Sequence, residues 1–74
     1  MTSQQTTTCN VTLNGTTIEI EAGTTIGSLL DAREIERRMV AVELNGEIIP
    51  RYEFDDTPIN AGDRLELLQM VGGG

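Results

Sequence analysis

Apolar and polar residues alternate in two short segments near the start of the chain, and this pattern predicts a β-hairpin over residues 9–21. The apolar positions of the two strands are Val11, Leu13, Ile18 and Ile20. Asn14 and Gly15 lie between the segments and favour a type I′ turn, because both residues tolerate the positive φ values that this turn needs.

The next segment changes to a helical period, which predicts one helix. Thr24 or Thr25 is expected to cap it by accepting a hydrogen bond from a free backbone N–H. The apolar stripe that follows consists of Ile26, Leu29 and Leu30. Gly27 weakens this helix by roughly 1 kcal/mol relative to alanine. The stripe is lost after Ala32, so we expect the helix to fray there and Ile35 to fold back onto the core.

Alternation resumes in the second half of the chain, where residues 39–44 are predicted to form a third strand. Its two faces are Val40, Val42 and Leu44 on one side and Met39, Ala41 and Glu43 on the other. A second Asn-Gly pair at residues 45–46 predicts another tight turn, followed by a short fourth strand at residues 48–49. Pro50 ends that strand and confines it to a sheet edge, because proline has no N–H to donate.

The last part of the chain is predicted to contain one more strand. Residues 51–59 suit a loop with a short helical turn, residues 60–63 a further turn, and residues 64–71 the final strand. Two strands, a helix and three strands favour a mixed sheet of about five strands curled over one helix. We therefore predict an α+β protein with the β-grasp, or ubiquitin-like, fold.

The 74 residues form at most one domain. Residues 1–8 are polar and without period, so we expect a disordered N-terminal extension. The β-grasp domain is predicted to span residues 9–71, and residues 72–74, all glycine, to form a flexible tail.

Composition excludes several kinds of chemistry. The chain has no histidine and a single cysteine, Cys9, which leaves no Ser-His or Cys-His pair, no intramolecular disulfide and no ligand cluster for zinc. We therefore expect neither a metal nor a bound cofactor. A net charge of −7 disfavours nucleic acid and anionic lipid as partners. It fits a partner with a basic surface, and it fits equally a surface charge that only maintains solubility. No apolar run approaches the roughly 20 residues that span a membrane, and we expect a cytoplasmic protein.

Three stretches carry a resemblance to a known family. The sequences VAVELNGEIIPR at residues 40–51, Ala-Gly-Asp at residues 61–63 and LLQMVGGG at residues 67–74 are similar to those of the ThiS family. Members of this family are the sulfur carrier proteins of thiamine thiazole biosynthesis, and the likeness covers residues 9–74.

The resemblance implies that the chain is a carrier acted on by enzymes and not itself an enzyme. An E1-like adenylating enzyme would use ATP to convert the Gly74 carboxylate to an acyl-adenylate. A sulfur donor such as a cysteine desulfurase would then supply the sulfur that replaces AMP, and a thiazole synthase would take up the sulfur from the resulting thiocarboxylate.

The glycine tail has a physical consequence for binding. Gly72 and Gly73 have no Cβ and so can thread a narrow channel together with Gly74. Ordering three such residues costs about 3–6 kcal/mol, so the folded body must contribute affinity. The outward-facing residues of the last strand and its predicted neighbour are Leu68, Met70, Met39 and Ala41. We hypothesise that they form an apolar patch beside the tail that docks on partners. A strand buried on both faces, or apolar residues scattered over the surface, would show the same pattern.

Two other functions fit the same residues. The first is a thiocarboxylate carrier for another pathway, such as the synthesis of molybdopterin, cysteine or a siderophore. The second is a ubiquitin-like interaction module or protein modifier that never carries sulfur.

Overall fold

The structure is a computed structural model, and it describes residues 7–70. The predicted N-terminal extension, up to residue 6, and residues 71–74 lie outside the described residues. The elements in chain order are β1 Thr8–Leu13, β2 Thr16–Glu21, α1 Ile26–Ala32, a first 3₁₀ helix Arg37–Met39, β3 Val40–Leu44, β4 Glu47–Ile49, a second 3₁₀ helix Arg51–Asp56 and β5 Arg64–Gln69.

The strands form one five-stranded sheet in the order β2-β1-β5-β3-β4. β1 and β5 are parallel, and the other three neighbouring pairs are antiparallel. This mixed sheet with one α-helix confirms the predicted α+β, β-grasp architecture. β4 lies at an edge, as Pro50 predicts, and β5 lies at the centre.

Both Asn-Gly pairs form the predicted turns. Asn14 and Gly15 have φ values of 49° and 83°, and Asn45 and Gly46 have φ values of 52° and 90°. Positive φ at both central positions is the mark of the type I′ turn, whose twist matches that of the flanking strands.

The helix begins and ends with defined hydrogen bonds. Thr25 is the N-cap, and its side chain accepts from the backbone N–H of Ser28 while the Ser28 hydroxyl accepts from the Thr25 N–H. At the other end, Glu34 has a φ of 59°, and the N–H of Ile35 donates to the Leu30 carbonyl at 2.9 Å. This hydrogen bond holds Ile35 against the core, as predicted, and completes a Schellman-type end.

The positive φ at Glu34 leads to a stability prediction. Replacing Glu34 with glycine removes the Cβ strain of the left-handed conformation, so Glu34→Gly is expected to raise the free energy of unfolding by about 0.5–1 kcal/mol. Urea unfolding measures the change. The control is Glu36→Gly, at a residue with φ −71°, which should lower stability. Equal effects of the two substitutions would contradict this account.

The core lies between the sheet and α1. The buried apolar residues are Val11, Leu13, Ile20, Ile26, Leu29, Leu30, Val40, Val42, Phe54, Ile59 and Leu65. Four element boundaries differ from those predicted: β1 starts at Thr8, Met39 belongs to the first 3₁₀ helix, β4 starts at Glu47, and β5 ends at Gln69. Terminal backbone pairs fray and account for shifts of this size.

A close approach explains the glycine inside α1. A Cβ at Gly27 would collide with the Asp55 carboxylate and lie 2.8 Å from Arg37 Nη2. Arg37 donates two hydrogen bonds of 2.9 Å to Asp55 and one of 3.1 Å to Asp31. The guanidinium therefore links α1 to both 3₁₀ helices across the space that the missing side chain leaves.

The Arg37–Asp55 pair predicts a dependence of stability on pH. The hydrogen bonds from Arg37 hold the pKa of Asp55 below its usual value. Because the folded-state pKa is lowered, the contribution of Asp55 is complete above its unfolded pKa of about 3.9 and is lost as the pH falls through the folded value. The difference in unfolding free energy between the wild type and Asp55→Asn should therefore be constant at neutral pH and shrink below about pH 4. Urea unfolding over this range measures it, and a difference that persists to about pH 2 would contradict the assignment.

Candidate functional site

The end of β5 places two apolar side chains in solvent. Leu68 is 63% exposed and Met70 is 50% exposed, whereas Leu65 of the same strand is fully buried. Residues of opposite parity in a strand point to opposite faces, so Leu68 and Met70 lie on the face of the sheet turned away from α1. This orientation agrees with the prediction from the sequence.

β3 supplies the other two predicted patch residues. Ala41 lies directly opposite Leu68, and the Met70 N–H donates to the Met39 carbonyl at 2.7 Å. Met39 and Ala41 are half-buried. The structure thus brings all four residues together on one face, and we call them the β3–β5 patch. Its proposed role in docking remains a prediction.

The predicted reactive end follows directly from this patch. Gly72, Gly73 and Gly74 lie outside the described residues, as does Val71. The described chain ends at Met70, which is still hydrogen-bonded to β3. The chain therefore leaves the described part of the fold next to the β3–β5 patch.

Two further exposed apolar residues were not predicted. Ile48 is 71% exposed and lies opposite Glu43, on the same outward face as the patch. Tyr52, in the second 3₁₀ helix, is 81% exposed. The two-residue turn before β4 fixes which face Ile48 occupies, so its outward orientation was available from the sequence. A single tyrosine in a segment without period offered no such signal.

Carboxylates bound the patch on the sheet face. Glu43 of β3 and Glu66 of β5 form a directly opposed pair with outward-facing side chains. Two like charges in this position repel each other, and a cationic group of a partner placed between them would relieve the repulsion. The outward face therefore presents an apolar surface next to a negative one.

Neither a metal centre nor a membrane helix was found in the part of the chain that the structure describes. Within residues 7–70, no group of three or more histidine, cysteine, aspartate and glutamate side chains is placed to hold a metal ion. None of the helices described there has the length and the apolar character needed to cross a bilayer.

A family model, a solved structure and a curated relative point to the same family. Residues 11–74 match the model of the ThiS family. The crystal structure of a thiamine biosynthesis protein (ThiS) from Geobacter metallireducens superposes with a TM-score of 0.76 at 37% identity, covering 88% of this chain and 99% of that one. The sulfur carrier protein ThiS of Bacillus subtilis is 35% identical over 63 residues, which cover 84% of this chain and 96% of the relative.

A further relative is much longer than this chain. A thiazole synthase from Paramagnetospirillum magneticum is 37% identical over 62 residues, which cover 84% of this chain. The chain spans only 19% of that protein's length.

Proposed function

The chain belongs to the ThiS family, and we propose on this basis that it is a sulfur carrier of thiamine biosynthesis whose working group is the carboxylate of Gly74. The observation that carries the proposal is the extent of the family match, which runs through residue 74 and so includes the glycine ending. The similar solved structures named for thiamine biosynthesis favour this pathway over molybdopterin or cysteine synthesis.

The proposed chemistry explains why the carrier needs no catalytic side chain. A carboxylate resists nucleophilic attack because of its negative charge and resonance. Attack of the Gly74 carboxylate on the α-phosphorus of ATP forms an acyl-adenylate and releases pyrophosphate. When sulfide is the donor, hydrosulfide adds to the acyl carbon, the bond to AMP breaks, and a thiocarboxylate remains. When the donor is a persulfide, such as that of a cysteine desulfurase, its terminal sulfur adds in the same way, and a thiol then reduces the acyl disulfide, which releases the thiocarboxylate and forms a disulfide. The enzymes supply the catalysis, which is consistent with a chain that contains no histidine.

Three partners follow from these steps. An E1-like adenylating enzyme binds ATP and the chain end, a sulfur donor such as a cysteine desulfurase provides sulfur, and a thiazole synthase accepts it. The stretch of similar sequence within a protein named thiazole synthase supports the last of these partners. We place the cycle in the cytoplasm, where ATP is at hand.

The β3–β5 patch is proposed to supply the affinity that a glycine tail cannot. Ordering a three-residue tail costs about 3–6 kcal/mol, which weakens binding by two to four decades. The backbone of the sheet is already ordered, so Leu68 and Met70 can bury apolar surface on a partner without a further backbone entropy cost and are well placed to offset the cost of the tail.

Intact mass spectrometry tests the proposal. The purified chain, incubated with its adenylating enzyme, ATP and a sulfide source, should gain the mass that separates sulfur from oxygen, and fragmentation should locate the gain at Gly74. Omission of ATP is the control and should leave the mass unchanged. If the chain gained no sulfur although the same adenylating enzyme loaded another carrier, the result would instead favour an interaction module or protein modifier.

A further inference from the structure

The central strand β5 has an incompletely paired side. β1 pairs with β5 at only two registered positions, Thr12 with Arg64 and Leu13 with Leu65. β1 then ends, and the chain turns away into β2. The remaining part of β5, up to Gln69, therefore continues along β3 on one side, and on the other side it has no partner strand among residues 7–70.

The side chain of Asn14 acts as one further rung of the sheet. Its Oδ1 accepts from the Leu67 N–H at 2.7 Å, and its Nδ2 donates to the Leu67 carbonyl at 3.4 Å. The amide group thus presents the same acceptor and donor as a peptide unit of a neighbouring strand. This side of β5 is accordingly shaped to pair with an extended backbone.

Gln69 is the next residue whose backbone points to the same side. The Met70 N–H donates to the Met39 carbonyl, and the Arg64 carbonyl accepts from the Asn45 N–H, so the backbone groups of the even-numbered residues point towards β3. The backbone N–H and C=O groups of the odd-numbered residues of β5 therefore point to the opposite side. The alternation of the β3–β5 ladder turns the Gln69 N–H away from β3, and this N–H donates in none of the turn, loop, cap and side-chain hydrogen bonds of residues 7–70. Gln69 therefore offers a donor and an acceptor for a strand placed beyond Asn14.

A groove runs alongside this open edge. It has a volume of about 170 Å³ and is lined by Leu13, Asn14, Arg33, Ile35, Leu67 and Gln69. Its apolar lining residues are buried or half-buried, whereas Arg33 is exposed. None of the ion pairs in the described part of the chain involves Arg33, which leaves its positive charge available to a partner at the groove mouth.

We propose that an extended segment of the adenylating enzyme adds to this edge as a strand beside Gln69. The segment inserts an apolar side chain into the groove and places a carboxylate near Arg33. This inference rests on the proposed function and specifies how the partner recognises the carrier. Main-chain hydrogen bonds supply affinity in such strand additions, and the side-chain pocket supplies specificity.

A strand added at this edge would orient the glycine tail. Gln69 lies three residues before Gly72, so a strand that pairs here runs directly towards the glycine tail. Pairing fixes the direction in which the tail leaves the domain, which restricts the positions open to Gly74. The β3–β5 patch, on the outward face, and the open edge then form two sides of one recognition surface.

A matched pair of substitutions at Gln69 tests the proposal. Gln69→Pro removes the N–H that points to the open edge but leaves the hydrogen bonds of the neighbouring residues to β3. Gln69→Ala keeps this N–H and removes only the side chain beyond Cβ. Binding of each chain to its adenylating enzyme is measured by calorimetry. We expect Gln69→Pro to weaken binding about fivefold to tenfold more than Gln69→Ala, which corresponds to the loss of one interface hydrogen bond. Equal affinities of the two folded variants would overturn the proposal.

Hydrogen exchange in the wild type gives a second test that does not require Gln69→Pro to fold. The amide of Gln69 should become protected in the complex with the adenylating enzyme. The backbone N–H of Glu19 in the edge strand β2 points away from β1 and serves as the control, since it should stay unprotected in the complex. An unprotected Gln69 amide in a formed complex would overturn strand addition. Protection of Gln69 in the free chain through self-association would also overturn it, since the occupant would then be a second copy of the chain.

The outcomes separate this inference from the function itself. If the wild type gains sulfur and the two Gln69 variants bind alike, strand addition is wrong and the carrier function stands. If the wild type gains no sulfur and binds no adenylating enzyme, the function fails and the inference fails with it.

Discussion

Deletion of Gly74 is expected to abolish sulfur loading, even though the shortened chain still ends in a glycine carboxylate. The deletion draws the reactive group back by about 3.5 Å, the length of one extended residue. A displacement of about 1 Å from the reactive geometry can lower a rate roughly 100-fold, so this larger shift should remove detectable turnover. Intact mass after incubation with the adenylating enzyme, ATP and sulfide measures the loss.

Two controls identify distance as the cause. The thermal unfolding midpoint of the deletion variant should match that of the wild type, because the deletion leaves every residue of the core between the sheet and α1 in place. Addition of one glycine after Gly74 displaces the carboxylate in the opposite direction and should also prevent loading. If both variants were loaded like the wild type, the position of the chain end would not matter, and the proposed threading of the tail would be wrong.

The parts of the fold that were predicted correctly depend on local signals. Each Asn-Gly pair determines a turn through its positive φ values, and each turn fixes the register of two strands. The end of α1 followed from the loss of the apolar stripe. These features involve residues within a few positions of one another, so the sequence is sufficient to derive them.

The features that were missed depend on distant residues. Phe54 is 1% exposed and fills the core, yet it is the one apolar residue among charged neighbours in residues 53–56 and belongs to no periodic pattern. The hydrogen bonds from Asn14 to Leu67 join residues 53 positions apart. Gly27 was interpreted only as a weak point of the helix, because the Arg37–Asp55 pair that occupies its space forms only in the folded chain.

In the candidate site, too, the features set by local signals were predicted and those set by distant residues were missed. Strand parity was enough to place Leu68 and Met70 on the outward face, and the expected neighbourhood of β3 and β5 was enough to add Met39 and Ala41. The open edge at Gln69 depends on where β1 ends relative to β5, and no periodicity reveals that. The role of the glycine tail remains a prediction, since residues 71–74 lie outside the described part of the chain.

The second large effect is expected from the double variant Leu68→Asp and Met70→Asp, which should abolish adenylation while the domain stays folded. Both side chains are at least half exposed, so their replacement leaves the core between the sheet and α1 intact. In a docked complex, the new carboxylates would lose water without gaining partners. The loss of two central apolar contacts alone is worth about 4 kcal/mol, or roughly 1,000-fold in affinity. Pyrophosphate exchange with ATP measures adenylation directly.

A matched variant separates the position of the new charges from their number. Asn10→Asp with Thr17→Asp also adds two carboxylates to the outward face, but on β1 and β2. This variant has the same net charge as the first and should be adenylated at nearly the wild-type rate, because its charges lie away from the tail. Equal impairment of the two variants would show that the added charge repels the enzyme at long range. Selective failure of the first would assign docking to the β3–β5 patch, because only there would charge have replaced exposed apolar surface next to the glycine tail.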